Sequence, residues 1–206
     1  MNCYLNQLTS LDVSSNIALT DLIFHQNQIQ NIDLSQNILL QGLTCSINPI
    51  SSLDISLNTA LTYLNCRSMQ LGSLDVSHNI VLEKLWCGYN DLTVLDISNN
   101  INMEELKCDG NQLTSLDISQ NIRLENLYCQ NNELSSLDLS QNIVLEKLWC
   151  GDNPLLCLNL KNGNNQNFSE IKTMPSPNLT CTEVDDPVWS QNNWWGNDFL
   201  FPASRS

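Results

Sequence analysis

An aspartate recurs every 21 residues along most of this chain, without a slip of register. A serine follows two residues behind each aspartate and an asparagine two residues behind each serine. The aspartates are Asp12, Asp33, Asp54, Asp75, Asp96, Asp117 and Asp138. A second set of asparagines occupies the other half of the repeat, with Met69 in one of its places: Asn6, Asn27, Asn48, Asn90, Asn111, Asn132 and Asn153. A strict period of this length predicts a solenoid, in which each repeat forms one coil that stacks on the next.

Each repeat contains two short stretches in which apolar and polar side chains alternate. In the first, Leu85 and Cys87 flank Trp86; in the second, Leu95 and Ile97 flank an aspartate. Alternation with a period of two is typical of a β-strand with one buried face. We therefore expect two strands and two bends per coil, with parallel pairing between coils. About seven and a half coils, spaced about 4.8 Å apart, predict a rod on the order of 35 Å long. The asparagine amides are expected to satisfy backbone groups at the bends, with an irregularity at Met69.

The repeat also resembles a known family. The segment from Leu82 to Leu92 has the pattern L-x-x-L-x-C-x-x-N-x-L, which matches the conserved segment of leucine-rich repeats. The 21-residue unit resembles the bacterial short-repeat class called IRREKO over roughly residues 3–160. This resemblance implies a mostly β, right-handed leucine-rich-repeat coil with short or no helices. The segment after residue 160 contains the runs Lys161-Asn-Gly-Asn-Asn-Gln-Asn-Phe-Ser and Pro177-Asn-Leu-Thr-Cys-Thr-Glu-Val-Asp-Asp, followed by Asn193-Trp. These runs resemble the closing segment of exported surface leucine-rich-repeat proteins of Bacteroidetes, which implies a bacterial protein at the cell surface or outside the cell.

The two ends of the chain differ in character. Residues 1–160 are predicted to form the solenoid, without an N-terminal cap because the chain begins in mid-repeat. Residues 161–206 leave the register and are predicted to form an irregular C-terminal cap. The large apolar side chains suited to cover the last coil are Trp189, Trp194, Trp195, Phe199 and Phe201.

Seven of the nine cysteines follow the 21-residue period, and Phe24 fills the missing place in their series. Cysteines that alternate with phenylalanine are predicted to be core side chains that stay reduced. Cys157 and Cys181 lie outside the series and flank the irregular segment. We predict a disulfide between them, closing a loop of about 25 residues that would contribute roughly 3 kcal/mol.

Charge and motif content narrow the function. The net charge is −14 with only eight Lys and Arg, which argues against nucleic acid and anionic membrane surfaces. No apolar run is long enough to insert into a bilayer. No catalytic motif is present, so an enzyme is not expected, and neither is a cofactor. The aspartate column is expected to be neutralised by hydrogen bonds from nearby serines; bound Ca²⁺ is the alternative.

One outward column of the first strand changes from coil to coil, as expected of a binding face. Aromatic and basic residues cluster in it and in the positions that follow it, and they are predicted to bind a partner: Arg67, Trp86, Tyr89, Lys107, Tyr128 and Trp149. Packing between neighbouring strands is the structural alternative, and the identity of residues 79–88 with residues 142–151 indicates a duplication. The first hypothesis is a protein-binding or adhesion module. The alternatives are a carbohydrate-binding module, in which Trp86, Tyr128 and Trp149 stack on sugars, and a spacer in a larger adhesin.

Overall fold

The computed structural model describes residues 1–194. Each L-x-C segment forms a three-residue strand with an apolar residue at its buried centre. Six strands of this kind, with one strand centred on Leu22 before them and one centred on Ile171 after them, pair in parallel and in register into one eight-stranded sheet within the described residues. In chain order the strands are β1 (Asp21–Ile23), β2 (Gly42–Thr44), β3 (Tyr63–Asn65), β4 (Lys84–Trp86), β5 (Glu105–Lys107), β6 (Asn126–Tyr128), β7 (Ser136–Asp138), β8 (Lys147–Trp149), β9 (Cys157–Asn159), β10 (Glu170–Lys172) and β11 (Cys181–Glu183). The larger sheet contains all of them except β7, β9 and β11, which form a second sheet. The predicted parallel solenoid is confirmed.

The second strand of the coil is formed only near the C-terminal end, by β7, β9 and β11. In the earlier coils the prediction of a second strand is wrong. There, neighbouring coils place two carboxylates of the aspartate column opposite each other, and like charges directly opposite are destabilising in a sheet. In β9 the aspartate is replaced by Asn159, whose amide donates to Asp138 Oδ1 at 3.0 Å. At this end a hydrogen bond replaces the repulsion between two carboxylates, and β7 and β9 therefore pair.

The asparagine ladders hold consecutive coils together through their side chains, as predicted. Asn111 Oδ1 accepts the backbone N–H of Leu92 at 3.1 Å. Its Nδ2 donates to the carbonyls of Cys87 at 3.1 Å and Cys108 at 2.9 Å. The asparagines that follow the serines form the other ladder, and each donates its side-chain amide to two carbonyls of the preceding coil: Asn37, Asn58, Asn79, Asn100, Asn121 and Asn142. Backbone groups that the bends leave unpaired are therefore satisfied inside the protein.

The predicted irregularity occurs at Met69. Its side chain is buried but has no amide, and Asn90 Oδ1 in the next coil accepts both Met69 N and Leu71 N, at 3.0 and 3.1 Å. The intervening Gln70 has a φ of 66°. The equivalent residues of the other coils do not have a positive φ within the described range. The missing asparagine is thus compensated by a local change of the backbone.

In the ladder that contains Asn111 and, in one coil, Met69, every position is preceded by a residue in the left-handed region of backbone space. These residues have φ between 53° and 66° and are Leu5, Gln26, Ile47, Ser68, Tyr89, Gly110, Asn131 and Asp152. Left-handed backbone costs an L-residue with a β-carbon on the order of 1 kcal/mol, and a β-branched residue is a particular outlier there.

Replacement of Ile47 by asparagine is therefore expected to stabilise the protein by about 1 kcal/mol. Ile47 has a φ of 55° and an exposed side chain, so little burial is lost. Urea unfolding followed by circular dichroism measures the change. Ile101→Asn is the control, because Ile101 is equally exposed but is not among the positive-φ residues. Equal shifts for the two variants would contradict the argument.

Strand stacking continues past residue 160, where the sequence repeat ends. β10 extends the larger sheet and β11 the smaller one, so the segment after residue 160 is less irregular than the sequence predicts. A short helix, α1 (Pro187–Asn193), follows. Asp186 is its N-cap, and the Asp186 carboxylate accepts two backbone N–H groups of the first turn.

Two of the five predicted capping residues, Trp189 and Trp194, are among the described residues. Trp194 is buried, with its ring 5.8 Å from that of Phe168 and 6.0 Å from that of Trp189, both edge to face. Trp195, Phe199 and Phe201, the other predicted capping residues, lie outside the described residues.

The cysteine ladder lies in the core, as expected of small apolar side chains. The members from Cys45 to Cys150 are fully buried, and burial raises the pKa of the Cys45 and Cys150 thiols to about 12. Thiols with such pKa values are unreactive near neutral pH.

Cys157 and Cys181 are in-register neighbours on β9 and β11, and both are thiols in this structure. The predicted disulfide between them stays a prediction. Thiol titration in denaturant without reductant is expected to count seven free thiols in protein isolated under oxidising conditions. A count of nine would contradict the disulfide.

Candidate functional site

Four of the six predicted partner-binding residues occupy one row across the larger sheet. Trp86, Lys107, Tyr128 and Trp149 are the third residues of β4, β5, β6 and β8, and consecutive members are register partners. Their side chains point outward because the central leucine of each strand points into the core. Neighbouring members are therefore about 4.8 Å apart along the solenoid axis.

Arg67 and Tyr89 lie beside this row, just beyond the ends of their strands. The Arg67 guanidinium forms a bidentate ion pair with Asp109, with distances of 2.8 Å for Nη1–Oδ1 and 3.0 Å for Nη2–Oδ2. It also lies over the Tyr89 ring, 4.9 Å from its centre. A bidentate pair fixes the orientation of the guanidinium plane. Arg67 is therefore held in place at this surface.

The ion pair depends on a glycine in the coil between its two members. A β-carbon on Gly88 would lie 2.6 Å from Asp109 Oδ1 and 3.0 Å from Arg67 Nη1. These distances are too short for a carbon atom beside a charged oxygen or nitrogen. Gly88 thus leaves the space through which Arg67 reaches across two coils.

Together, the six predicted residues line a shallow pocket of about 430 Å³. Asp109 and Gln130, which sequence reasoning did not single out, complete the lining. Trp86 Nε1 and Gln130 Oε1 are shielded and have no hydrogen-bond partner in the structure.

Lysine ammonium groups cover both tryptophan rings. Lys107 Nζ lies 3.9 Å from the centre of the Trp86 ring and 5.1 Å from that of Tyr128. Lys172 Nζ lies 3.7 Å from the centre of the Trp149 ring. Lys172 was not predicted, because β10 lies beyond the sequence repeat. Cation–π contacts of this geometry hold the lysines over the rings.

The aspartate column lies in the other half of the coil, away from this site. The carboxylates accept the backbone N–H of the serine two residues later at 2.9 to 3.0 Å, as expected. The backbone N–H and hydroxyl groups of these serines donate hydrogen bonds to the carboxylates, and these bonds hold each carboxyl pKa below its ordinary value. This holds for Asp12, Asp33, Asp54, Asp75, Asp96 and Asp117.

Stability is therefore expected to fall on acidification. A carboxyl whose pKa is lower in the folded state stabilises the fold above its unfolded pKa of about 3.9, and this contribution is lost as pH falls through the folded value. In urea unfolding between pH 6 and pH 2.5, the variant Asp54→Asn/Asp96→Asn should lose less stability below about pH 4 than the wild type. Asparagine keeps the acceptor oxygen but does not titrate. Glu125→Gln/Glu133→Gln, which removes the same charge, should follow the wild type; identical profiles for all three proteins would contradict the assignment.

Two further observations concern residues 1–194. No group of three or more His, Cys, Asp or Glu side chains in this range is arranged to hold a metal ion. No helix in it is long and apolar enough to cross a membrane. The absence of a cofactor and of bound Ca²⁺ stays a prediction.

The parallel coils, the leucine core and the asparagine ladders define a leucine-rich-repeat β-solenoid. The chain is similar in structure to the functional domain of InlJ from Listeria monocytogenes, which is described as including a cysteine ladder, with 29% identity over 89% of this chain and 48% of that one and a TM-score of 0.62. It is also similar to a leucine-rich-repeat protein of Leptospira interrogans, with 26% identity over 75% of this chain and 43% of that one and a TM-score of 0.69. The fold is also similar to that of internalin C2 of Listeria monocytogenes, with a TM-score of 0.74. The identity is 19% over 89% of this chain and 79% of that one.

This chain thus spans about half the length of the InlJ domain and less than half the length of the Leptospira protein. No protein-family model and no curated protein matches it. The structural neighbours named here are bacterial leucine-rich-repeat proteins. Assignment to the IRREKO class and to Bacteroidetes stays a prediction.

Proposed function

We propose that this chain is a protein-interaction module whose partner binds across the outer face of the larger sheet, at the pocket between Arg67 and Trp149. The observation that carries the proposal is the convergence of all six predicted residues on one pocket. Tryptophan, tyrosine and arginine are the residues most enriched at the energetic centres of protein interfaces. The coils beneath them repeat the same leucines and asparagines, so only the outward residues give the surface its specificity.

The module acts, in this proposal, in adhesion at the surface of a bacterium. This part rests on the resemblance of the segment after residue 160 to the closing segment of exported surface proteins. The neighbouring bacterial leucine-rich-repeat structures support it at the level of fold.

A carbohydrate-binding module is the alternative, because three aromatic rings lie along one row. Sugars stack on open ring faces. In this structure an ammonium group occupies a face of Trp86 and another occupies a face of Trp149. The covered rings favour a polar protein partner over a stacked sugar.

Capture of bacterial and host surface proteins, with a glycan array in parallel, tests the proposal. The wild-type chain is compared with Trp86→Ala/Trp149→Ala and with the control Ile101→Ala/Ile143→Ala, which removes exposed apolar side chains away from the site. Protein capture lost only in the tryptophan variant is the expected result. Glycan binding lost in that variant would replace the proposal with the carbohydrate module. No binding of either kind would favour a spacer.

A further inference from the structure

Within the larger sheet, one tryptophan is surrounded by a tyrosine, a lysine and a glutamate, and we call this group the first box. The Tyr63 ring meets Trp86 edge to face at 5.4 Å and 89°. Lys107 covers the Trp86 ring at 3.9 Å, and its ammonium pairs with Glu105 Oε1 at 2.7 Å. The tryptophan is thus held from both sides.

The same group recurs near the end of the sheet, and we call it the second box. The Tyr128 ring meets Trp149 edge to face at 5.2 Å and 70°. Lys172 covers the Trp149 ring at 3.7 Å, and its ammonium pairs with Glu170 Oε1 at 2.8 Å. These three contacts agree with those of the first box to within about 0.2 Å in distance.

Duplication of the sequence does not explain the second box. It accounts for the two Lys-Leu-Trp strands, which are 63 residues apart. Glu105 and Glu170, however, are 65 residues apart, and residue 168, where the duplicate of Glu105 would stand, is a phenylalanine. A longer connection before β10 restores the glutamate and the lysine to register with β8. The tyrosines come from different strand positions, the first of β3 and the third of β6. The two boxes therefore have the same arrangement of side chains, although their tyrosines and glutamates come from non-equivalent positions of the sequence repeat.

A second lysine lies on a strand of each box in this strongly acidic protein. Lys84 is the register partner of Glu105, and Lys147 is the register partner of Glu170. Counted with this second lysine, each box has two ammonium groups and one carboxylate on its strands, in a chain whose net charge is −14. The aspartate column in the other half of the coil repels acidic ligands, whereas the boxes attract them.

The spacing of the boxes matches an extended peptide. β4 and β8 are separated by three steps of the sheet, or about 14 Å at about 4.8 Å per step. An extended chain rises about 3.4 Å per residue and points alternate side chains to one face, so residues i and i+4 lie about 13.6 Å apart on the same face. The residue at i+2 would lie over the pocket between the boxes.

We infer that the two boxes bind two carboxylate side chains, at positions i and i+4, of one extended acidic segment of the partner protein. This inference rests on the proposed function and adds the chemistry of the partner. Lys84 and Lys147 supply the ammonium groups that meet the carboxylates, whereas the ring-bound lysines are already paired with Glu105 and Glu170. Simultaneous occupation gives an affinity that neither box provides by itself.

Nine-residue synthetic peptides of equal composition test this inference by isothermal titration calorimetry at low salt. One peptide carries glutamates at i and i+4 in a Ser/Thr background, and the other carries them at i and i+3, which places them on opposite faces. The i, i+4 peptide is expected to bind about 100-fold more tightly. Lys84→Gln and Lys147→Gln should each remove most of that advantage. Lys161→Gln, an exposed lysine away from the sheet face, should leave it unchanged.

Equal affinity for the two peptides, or binding that ignores Lys84→Gln and Lys147→Gln, would overturn the inference. So would the absence of peptide binding at millimolar concentration. The proposed function survives any of these results if protein capture still depends on Trp86 and Trp149. A uronic-acid oligosaccharide that binds through the same two lysines more tightly than the i, i+4 peptide would reassign the boxes to acidic glycans.

Discussion

Replacement of Asn111 by alanine is expected to lower the free energy of unfolding by about 4 kcal/mol, a large fraction of the stability of a domain. The side chain accepts one backbone N–H and donates to two backbone carbonyls, which belong to both coils it joins. Alanine leaves these three buried groups without partners, at about 1–3 kcal/mol each before any relaxation. Coils of a solenoid are stabilised mainly by their neighbours, so the loss acts on both sides of the change.

Urea unfolding followed by circular dichroism measures this effect, with Asn99→Ala as the control. Asn99 is exposed, and its amide has a single contact of 3.4 Å to the carbonyl of Ser77. Its loss is expected to be within about 0.5 kcal/mol. Asn111→Asp, which keeps the shape and the acceptor but removes the donors, should be at least as destabilising as the alanine. Similar values for Asn111→Ala and Asn99→Ala would refute the role of the ladder.

The coil that has Met69 in place of this asparagine is stabilised in a different way. At Met69 the backbone rearranges at Gln70, and one oxygen of Asn90 accepts two N–H groups instead of one. That rearrangement is built into the sequence of the coil. A substitution at Asn111 has no such compensation, because Gln112 follows the regular pattern of the other coils.

The fold could be predicted from the sequence because a strict repeat leaves few ways to bury its apolar residues. The leucines and cysteines of the ladder lie in the core, and the asparagine amides satisfy the bends. The second strand could not be predicted correctly in each coil. Alternation of apolar and polar residues reports which side chains are buried, but not whether neighbouring backbones can pair across a column of carboxylates. Asn159 was the one signal in the sequence that pairing would begin near the C-terminal end.

The site could be predicted in part, for a similar reason. Trp86 and Lys107 were found because they stand in a column whose register the repeat fixes. Asp109 was missed, because one acidic residue is inconspicuous in an acidic chain, although Gly88 opposite it indicated a close contact. Lys172 was missed because a longer connection moves it out of the repeat. Features that depend on contacts between different coils are visible only in three dimensions.

Replacement of Gly151 by alanine is expected to destabilise the C-terminal end by about 3 kcal/mol, at the upper end of overpacking effects. A β-carbon at Gly151 would collide with the carbonyl oxygen of Met174 and would lie 2.7 Å from its carbonyl carbon. Both are backbone atoms, so no side chain can rotate to make room. The chain just after β10 would have to move, and the hydrogen bond from Asp152 N to Pro175 O at 2.7 Å would be strained or lost.

Gly72→Ala is the matched control, since a β-carbon there meets nothing within 4 Å and the φ of Gly72 is not positive. It is expected to be neutral or to stabilise by about 0.5 kcal/mol through the unfolded state. Thermal and urea unfolding compare the two glycine variants. The same displacement has a consequence for binding, because β10 supplies Glu170 and Lys172 to the second box but nothing to the first. Gly151→Ala should therefore weaken the i, i+4 peptide to the level of Lys147→Gln while leaving the contacts of Trp86 intact. A variant as stable as Gly72→Ala would show that the chain after β10 is not packed against Gly151.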